Sequence, residues 1–264
     1  MEAARAKAPA TEVRLKIRRQ DGPDQAPYWE EFVLPYEPGL NIIACLMEIR
    51  KNPVNRAGQK TSPPAFLAAC LEEVCGSCTM LVNGRARQAC STLVDEFDLS
   101  EPIVLEPMTK FPVVRDLIVD RQRMFDALKK LHIWIPIQGT YHLGEGPKMS
   151  PAEAEFRYHL SKCMTCGVCL EVCPQYGPHS DFLGAAALSQ VVLMNAHPTG
   201  RMNAEERLDI AAGPGGITQC GNAQNCVRSC PKEIPLTTSL AKLQREVVIH
   251  RIKKALSSGW LGRP

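Results

Sequence analysis

Hydrophobic and polar residues alternate from Val13 to Arg19 and again from Trp29 to Leu34, with Asp21-Gly22-Pro23-Asp24 between them. Alternate side chains of a strand face opposite sides, so this pattern predicts a two-stranded hairpin. The period then lengthens. Ile42, Ile43, Leu46 and Ile49 fall on one stripe of a helix that carries Cys45, and Asn41 stands where a helix cap belongs. Thr79–Val82 and Arg85–Cys90 flank Asn83-Gly84, a dipeptide that supplies the two positive φ angles of a type I′ turn. Ile103–Glu106 reads as another strand. Residues up to about 107 are therefore expected to form a small mixed sheet with one helix and a long loop.

The remainder reads as helical. The pattern predicts a helix over about 114–130 in a connecting region. Ser150-Pro151-Ala152-Glu153 joins a cap, a first-turn proline and a capping-box glutamate, and so opens a helix that runs to about Lys162. Asn203-Ala204-Glu205-Glu206 opens another by the same logic, ended by Gly213-Pro214-Gly215-Gly216, and a long helix is expected from about Thr238 to Leu256. Two domains follow, 1–120 with its connecting helix reaching about 149, and 150–264.

A chain of 264 residues suits two modest cores, and 45% hydrophobic with 22% charged residues argues against disorder. A net charge of +3 gives no ground for a nucleic-acid partner. The start, MEAARAKAPATEV, lacks the apolar core of a secretory signal, so a cytosolic location is expected. The longest apolar stretch, 182–196, is broken by Ser189 and Gln190 and falls short of the ~20 residues of a membrane span.

Cysteine changes the picture most. Eleven of the twelve fall into three runs. Cys70-x4-Cys75-x2-Cys78, followed by Cys90, is the plant-type ferredoxin spacing for a 2Fe-2S cluster, with Gly76 and Ser77 allowing a tight loop. Cys163-x2-Cys166-x2-Cys169-x3-Cys173-Pro174 is the bacterial ferredoxin run, whose fourth cysteine serves a second cluster. Cys220, Cys226 and Cys230-Pro231 complete the pair. If Cys230 joins Cys163, Cys166 and Cys169 on a 4Fe-4S cluster, the other site keeps Cys173, Cys220 and Cys226. A regular run would place a cysteine at 223, where Ala223 stands, so three ligands point to 3Fe-4S. A non-cysteine ligand or water would still allow a 4Fe-4S core there, and that reading is kept as the alternative.

Cys45 is left over and is expected to fill core space. Structural zinc sites favour paired C-x2-C units, so zinc is the weaker reading, and no C-x-x-C-H motif for haem attachment occurs. No phosphate loop, dinucleotide fingerprint or nucleophile elbow is present, so no catalytic residue is assigned. His132, His142, His159, His179, His197 and His250 are scattered and read as surface or packing residues.

An α+β chain that joins a plant-type 2Fe-2S ferredoxin domain (β-grasp) to a helical bacterial-ferredoxin-like domain resembles the iron-sulfur subunit of succinate dehydrogenase and fumarate reductase. Its most specific stretches are Cys70–Cys90, Ser161–Cys169 and Cys220–Lys232, and the last, with Ile234–Ser239 after it, looks like the menaquinone-linked bacterial branch. The resemblance implies a complex in which a flavoprotein with FAD oxidises succinate. Electrons then pass through 2Fe-2S, 4Fe-4S and 3Fe-4S clusters to quinone at a membrane anchor of cytochrome b type, with or without haem b. It implies a peripheral place on the cytoplasmic face of the plasma membrane. In ubiquinone-linked members a tryptophan and a histidine serve the quinone, and the positions here are Pro178 and Gly221, which favours a different quinone geometry. Pro174 and Tyr176 are candidates for the quinone's vicinity, and as readily for loop packing. A free ferredoxin-like carrier and a zinc-organised module are the other readings weighed; fumarate reduction is the reverse use of the same parts.

Overall fold

The structure is a computed structural model that describes residues 11–135 and 148–257. They divide into two compact units between Asp120 and Arg121.

In the first unit β1, Glu12–Arg19, pairs antiparallel with β2, Tyr28–Pro35, in a register that sets Val13 opposite Leu34 and Arg19 opposite Tyr28. Every second residue of β1 faces inward. Val13, Leu15 and Ile17 are fully buried, and Arg19 continues that face as a charge. β3, Thr79–Val82, β4, Arg85–Gln88, and β5, Ile103–Glu106, complete a sheet of order β2-β1-β5-β3-β4, with β1 and β5 parallel. Asn83 and Gly84 take φ of 47° and 73°, as a type I′ turn demands. The Asn83 side chain also accepts from Val104 N at 2.7 Å, which ties the turn to β5.

Helix α1, Ile42–Lys51, starts where Asn41 Oδ1 accepts from Ala44 N at 2.8 Å. Its stripe of Ile42, Ile43, Leu46 and Ile49 joins Phe32 and the inward face of β1 in the core. Cys45 lies in that core, and burial pushes its thiol up to about 11.

The stretch read from sequence as one helix over 114–130 is divided. Val113–Arg115 and Ile118–Val119 form a two-stranded ribbon, β6 and β7, which turns at Asp116 with φ 45°. Its β-branched residues suit a strand, and an Asp tolerates the left-handed turn position. The helix that remains, α2, covers Gln122–Lys130 and packs in the second unit against α5.

The second unit adds α3, Pro151–Ser161, α4, Val168–Glu171, α5, Ala185–Ala196, α6, Ala204–Ala212, α7, Asn225–Arg228, and α8, Leu236–Ser257. The Ser150 hydroxyl accepts from Glu153 N at 3.3 Å while Glu153 accepts from Ser150 N, which closes the capping box. Asn203 makes no such cap. A 3-10 turn over Gly200–Asn203 runs straight into α6 and leaves Asn203 at φ −109°, ψ 20°, outside the extended conformation a capping side chain needs. Helix α5 is the centre of the unit, packed against α2, α3, α4, α6 and α8. Its Ala185, Ala186 and Ala187 are buried, and such small side chains let neighbouring backbones approach. Among the described residues no helix is long and apolar enough to cross a membrane.

Candidate metal centres

The first cysteine loop follows no regular element, so its backbone is free to aim N–H groups at sulfur. Leu71, Glu73 and Gly76 take left-handed φ of 61°, 55° and 69°. Successive turns of that kind form a concave nest of N–H groups. Cys70 Sγ accepts from Val74 N and Cys75 N, both at 3.3 Å, and from Glu72 N at 3.4 Å; Cys75 Sγ accepts from Ser77 N at 3.5 Å. The Ser77 hydroxyl and these amides pull the Cys75 thiol down to about 6. Cys78 and Cys90 lie side by side at the ends of β3 and β4. Burial pushes Cys78 up to about 12, and its sulfur donates to Gln88 Oε1 at 3.6 Å. Thr79 Oγ1 in turn accepts from Gln88 Nε2 at 2.8 Å, which fixes the amide.

The second unit places its seven cysteines around two spaces. Cys163, Cys166, Cys169 and Cys230 line one, and Cys173, Cys220 and Cys226 line the other together with Pro174 and Ala223. The two runs use the same local design. Cys169 stands on α4 and Cys226 on α7, two four-residue helices in contact. Gly167 at φ 88° opens the first and Gln224 at φ 61° the second, while Thr165 and Asn222 both take φ 51°. Ala223 therefore occupies the backbone place that Cys166 occupies in the first run; it lacks the thiol and keeps the conformation.

Burial pushes Cys166 up to about 11 and Cys169 well above the usual thiol range, and their cysteine neighbours add to it. Thiols so crowded ionise against a cation more readily than against water. Among the described residues no three His, Cys, Asp or Glu side chains close on a single metal ion. Soft thiolates set around a wider space, with N–H groups aimed at sulfur, suit iron-sulfur cores. His142 lies outside the described residues. His132 and His250 pair with Glu206 and Asp209, and among the described residues no histidine lines either space.

Sequence reasoning passed over Arg123. Its guanidinium donates to Gly177 O and Ser180 O and lies 4.5 Å from the centre of the Tyr176 ring, clamping the loop that follows Cys173. Tyr176, 3% exposed, packs there and does not line the space of Cys173, Cys220 and Cys226, the third site in chain order, whereas Pro174 does. An Arg in the first turn of a helix gives no local sign of such a role. Arg123→Met is expected to remove two charge-assisted hydrogen bonds and a cation–π contact, at about 2–3 kcal/mol. Melting of the purified complex and the EPR line of the third site report it; unchanged values for both would refute the clamp.

Residues 14–126 match the 2Fe-2S iron-sulfur cluster binding domain model and residues 159–234 the 4Fe-4S dicluster domain model. The succinate dehydrogenase iron-sulfur subunit of Bacillus subtilis (strain 168) is 56% identical over 246 residues, 93% of this chain and 96% of that protein. This chain belongs to the succinate dehydrogenase iron-sulfur subunits. Its role is electron transfer within succinate:quinone oxidoreductase, and that membership replaces the free-carrier and zinc readings. The fumarate reductase iron-sulfur subunit of Wolinella succinogenes is 29% identical over 84% of this chain and 90% of its own. A chain of the Mycobacterium smegmatis Sdh1 complex in the apo form shares the fold, with TM-score 0.75 and 22% identity over 92% of this chain and 98% of that one.

Proposed function

We propose that this iron-sulfur subunit holds three clusters: 2Fe-2S on Cys70, Cys75, Cys78 and Cys90, 4Fe-4S on Cys163, Cys166, Cys169 and Cys230, and 3Fe-4S on Cys173, Cys220 and Cys226. The observation that carries the reading is the division of seven cysteines into a four-thiol space and a three-thiol space, with Ala223 facing the latter. Bound cores of this kind take up and release single electrons, which lets a two-electron flavin and a two-electron quinone work without meeting. The chain's own part is to bury the sulfurs, exclude water and aim backbone N–H groups at them, and so set the potentials.

The electrons come from FAD on a flavoprotein partner and leave to a quinone, menaquinone by the sequence of the third run, at a cytochrome b-type membrane anchor that holds this subunit on the cytoplasmic face. The exposed loop Gly221–Asn225 beside the third space suits that exit. Pro174 lines the same space, Tyr176 supports its loop from beneath, and the Gln175 amide lies against Gly221, where an added Cβ would meet it at 2.9 Å. An amide there fits a quinone oxygen acceptor without the histidine of ubiquinone-linked members. Greater identity to a succinate dehydrogenase than to a fumarate reductase favours succinate oxidation as the working direction.

Low-temperature EPR of the purified complex tests the ligand map. As isolated it is expected to show an oxidised 3Fe-4S signal, and Ala223→Cys, on a backbone already shaped for a ligand, is expected to convert that signal to a 4Fe-4S one and slow quinone reduction. An untouched 3Fe-4S signal in Ala223→Cys would sink the map.

A further inference from the structure

A separate cavity of about 540 Å³ lies among α3, α5, α6 and α8 and has no cysteine in its wall. That is the size of a site for a small organic molecule. Lys148, Arg157, Arg201 and Lys242 face it, against Glu153 and Glu246. Glu153 is already engaged in the Ser150 cap. Phe156 and Leu208 give the cavity an apolar side, and Lys242 Nζ sits 5.1 Å from the centre of the Phe156 ring.

Three buried polar atoms of this wall have no hydrogen-bond partner: Arg157 Nε, Asn195 Nδ2 and Glu246 Oε2. Buried groups are rarely left so, and a cluster of them around one cavity signals a missing ligand. The orientation of the Asn195 amide is fixed from behind. Arg207, wholly buried, donates to Asn195 Oδ1 at 3.2 Å and to the carbonyls of His132, Trp134 and Gly200, so Nδ2 is the donor that faces the cavity, beside the Glu246 carboxylate. Arg157 is equally underused, with Nη1 resting on Met149 Sδ, a weak acceptor. The unpartnered Arg157 Nε and four cations against two carboxylates call for an anion. The free Glu246 oxygen beside them calls for a donor on the same molecule.

A carboxylate would meet one guanidinium fork and leave the other cations unserved, whereas the oxygens of a phosphate accept from several directions. The cavity also exceeds what a bare oxyanion fills, which leaves the Phe156 side for an organic part. We propose that this cavity binds a phosphate ester whose organic part carries a hydroxyl, the phosphate held by Arg157, Asn195, Arg201 and Lys242 and the hydroxyl donating to Glu246. Such an ester comes either free in solution or as a lipid headgroup.

Calorimetric titration of the purified, detergent-solubilised complex distinguishes these sources, with glycerol 3-phosphate as the free ester, dihexanoyl-phosphatidylglycerol as the headgroup, and inorganic phosphate as the bare anion. One saturable site per chain is expected for glycerol 3-phosphate or the short-chain lipid, and whichever binds identifies the source. Arg157→Gln and Asn195→Asp are each expected to weaken it at least about tenfold. Asn195→Asp keeps an oxygen for Arg207 and replaces the inward donor by an acceptor, so cluster EPR and succinate oxidation should match those of the parent. Failure of both esters to bind, unchanged affinity in both variants, or equal binding of inorganic phosphate each overturns the proposal.

Discussion

Asp116→Ala is expected to destabilise the first unit by about 3–5 kcal/mol, because it breaks a buried ion pair and leaves two backbone N–H groups without their acceptor. The Asp116 carboxylate is fully buried and accepts from Arg19 Nε at 2.9 Å, Gln20 N at 3.0 Å and Ala65 N at 2.7 Å. Burial works against the charge of Arg19, and the hydrogen bond and charge of Asp116 outweigh it, holding the guanidinium above its ordinary value. Without Asp116, the Arg19 charge keeps Glu30 and the Ser62 oxygens, and two backbone N–H groups lose their acceptor. Ala65 lies five residues before Cys70, so the cysteine loop loses an anchor as the core loses a charge. Thermal unfolding of the complex should therefore begin with bleaching of the 2Fe-2S circular dichroism, ahead of the other clusters. Arg19→Met with Asp116→Leu should recover only part of the loss, because the Gln20 and Ala65 N–H groups stay without an acceptor and Glu30 loses its guanidinium. Arg56→Ala serves as control: its exposed pair with Glu31 is worth at most about 1 kcal/mol. If Asp116→Ala melts like Arg56→Ala, the buried pair is not what anchors the loop.

That pair also marks the limit of what the sequence discloses. Asn41, Asn83-Gly84 and Ser150–Glu153 were legible because each acts on backbone groups within three or so residues of itself. The division of the second unit's cysteines was expected from counting thiols against cluster types, and the same seven line two spaces. Asp116 was not, since its partners come from β1 and from the segment before the cysteine loop, and a charge so placed looks like any exposed turn residue. Two signals went unread. The period-two face of β1 runs on through Val13, Leu15 and Ile17 to Arg19, which places that charge inside. Likewise Val113-Val114-Arg115-Asp116-Leu117-Ile118-Val119 is rich in β-branched residues around an Asp, a hairpin pattern that a helical count absorbs. Asn203 failed as a cap for a different reason, because the preceding turn had already set its backbone.

Gly215→Ala is expected to remove the third cluster while sparing the first. Gly215 sits at φ +78°, and a methyl there would overlap the carbonyl oxygen of Asp181. Its own carbonyl accepts from Leu183 N at 2.8 Å. The segment after Cys173 is thereby pinned against the segment that leads through Ile217–Gln219 to Cys220, so this contact sets how closely two cysteines of the three-thiol space approach. Left-handed strain on an alanine accounts for about 1 kcal/mol, and the overlap with backbone adds about 1–3 kcal/mol. Gly58→Ala separates the two terms, for Gly58 shares φ +78° but has nothing within 4 Å of the added carbon. Gly58→Ala should lose the strain term alone and keep all three signals. Gly215→Ala should lose the 3Fe-4S EPR line and at least about tenfold in quinone reduction, a barrier of about 1.4 kcal/mol or more, with the 2Fe-2S signal and electron transfer from succinate to it retained. A full-amplitude 3Fe-4S line in Gly215→Ala would mean that the Asp181–Gly215 approach does not govern the spacing of Cys173 and Cys220.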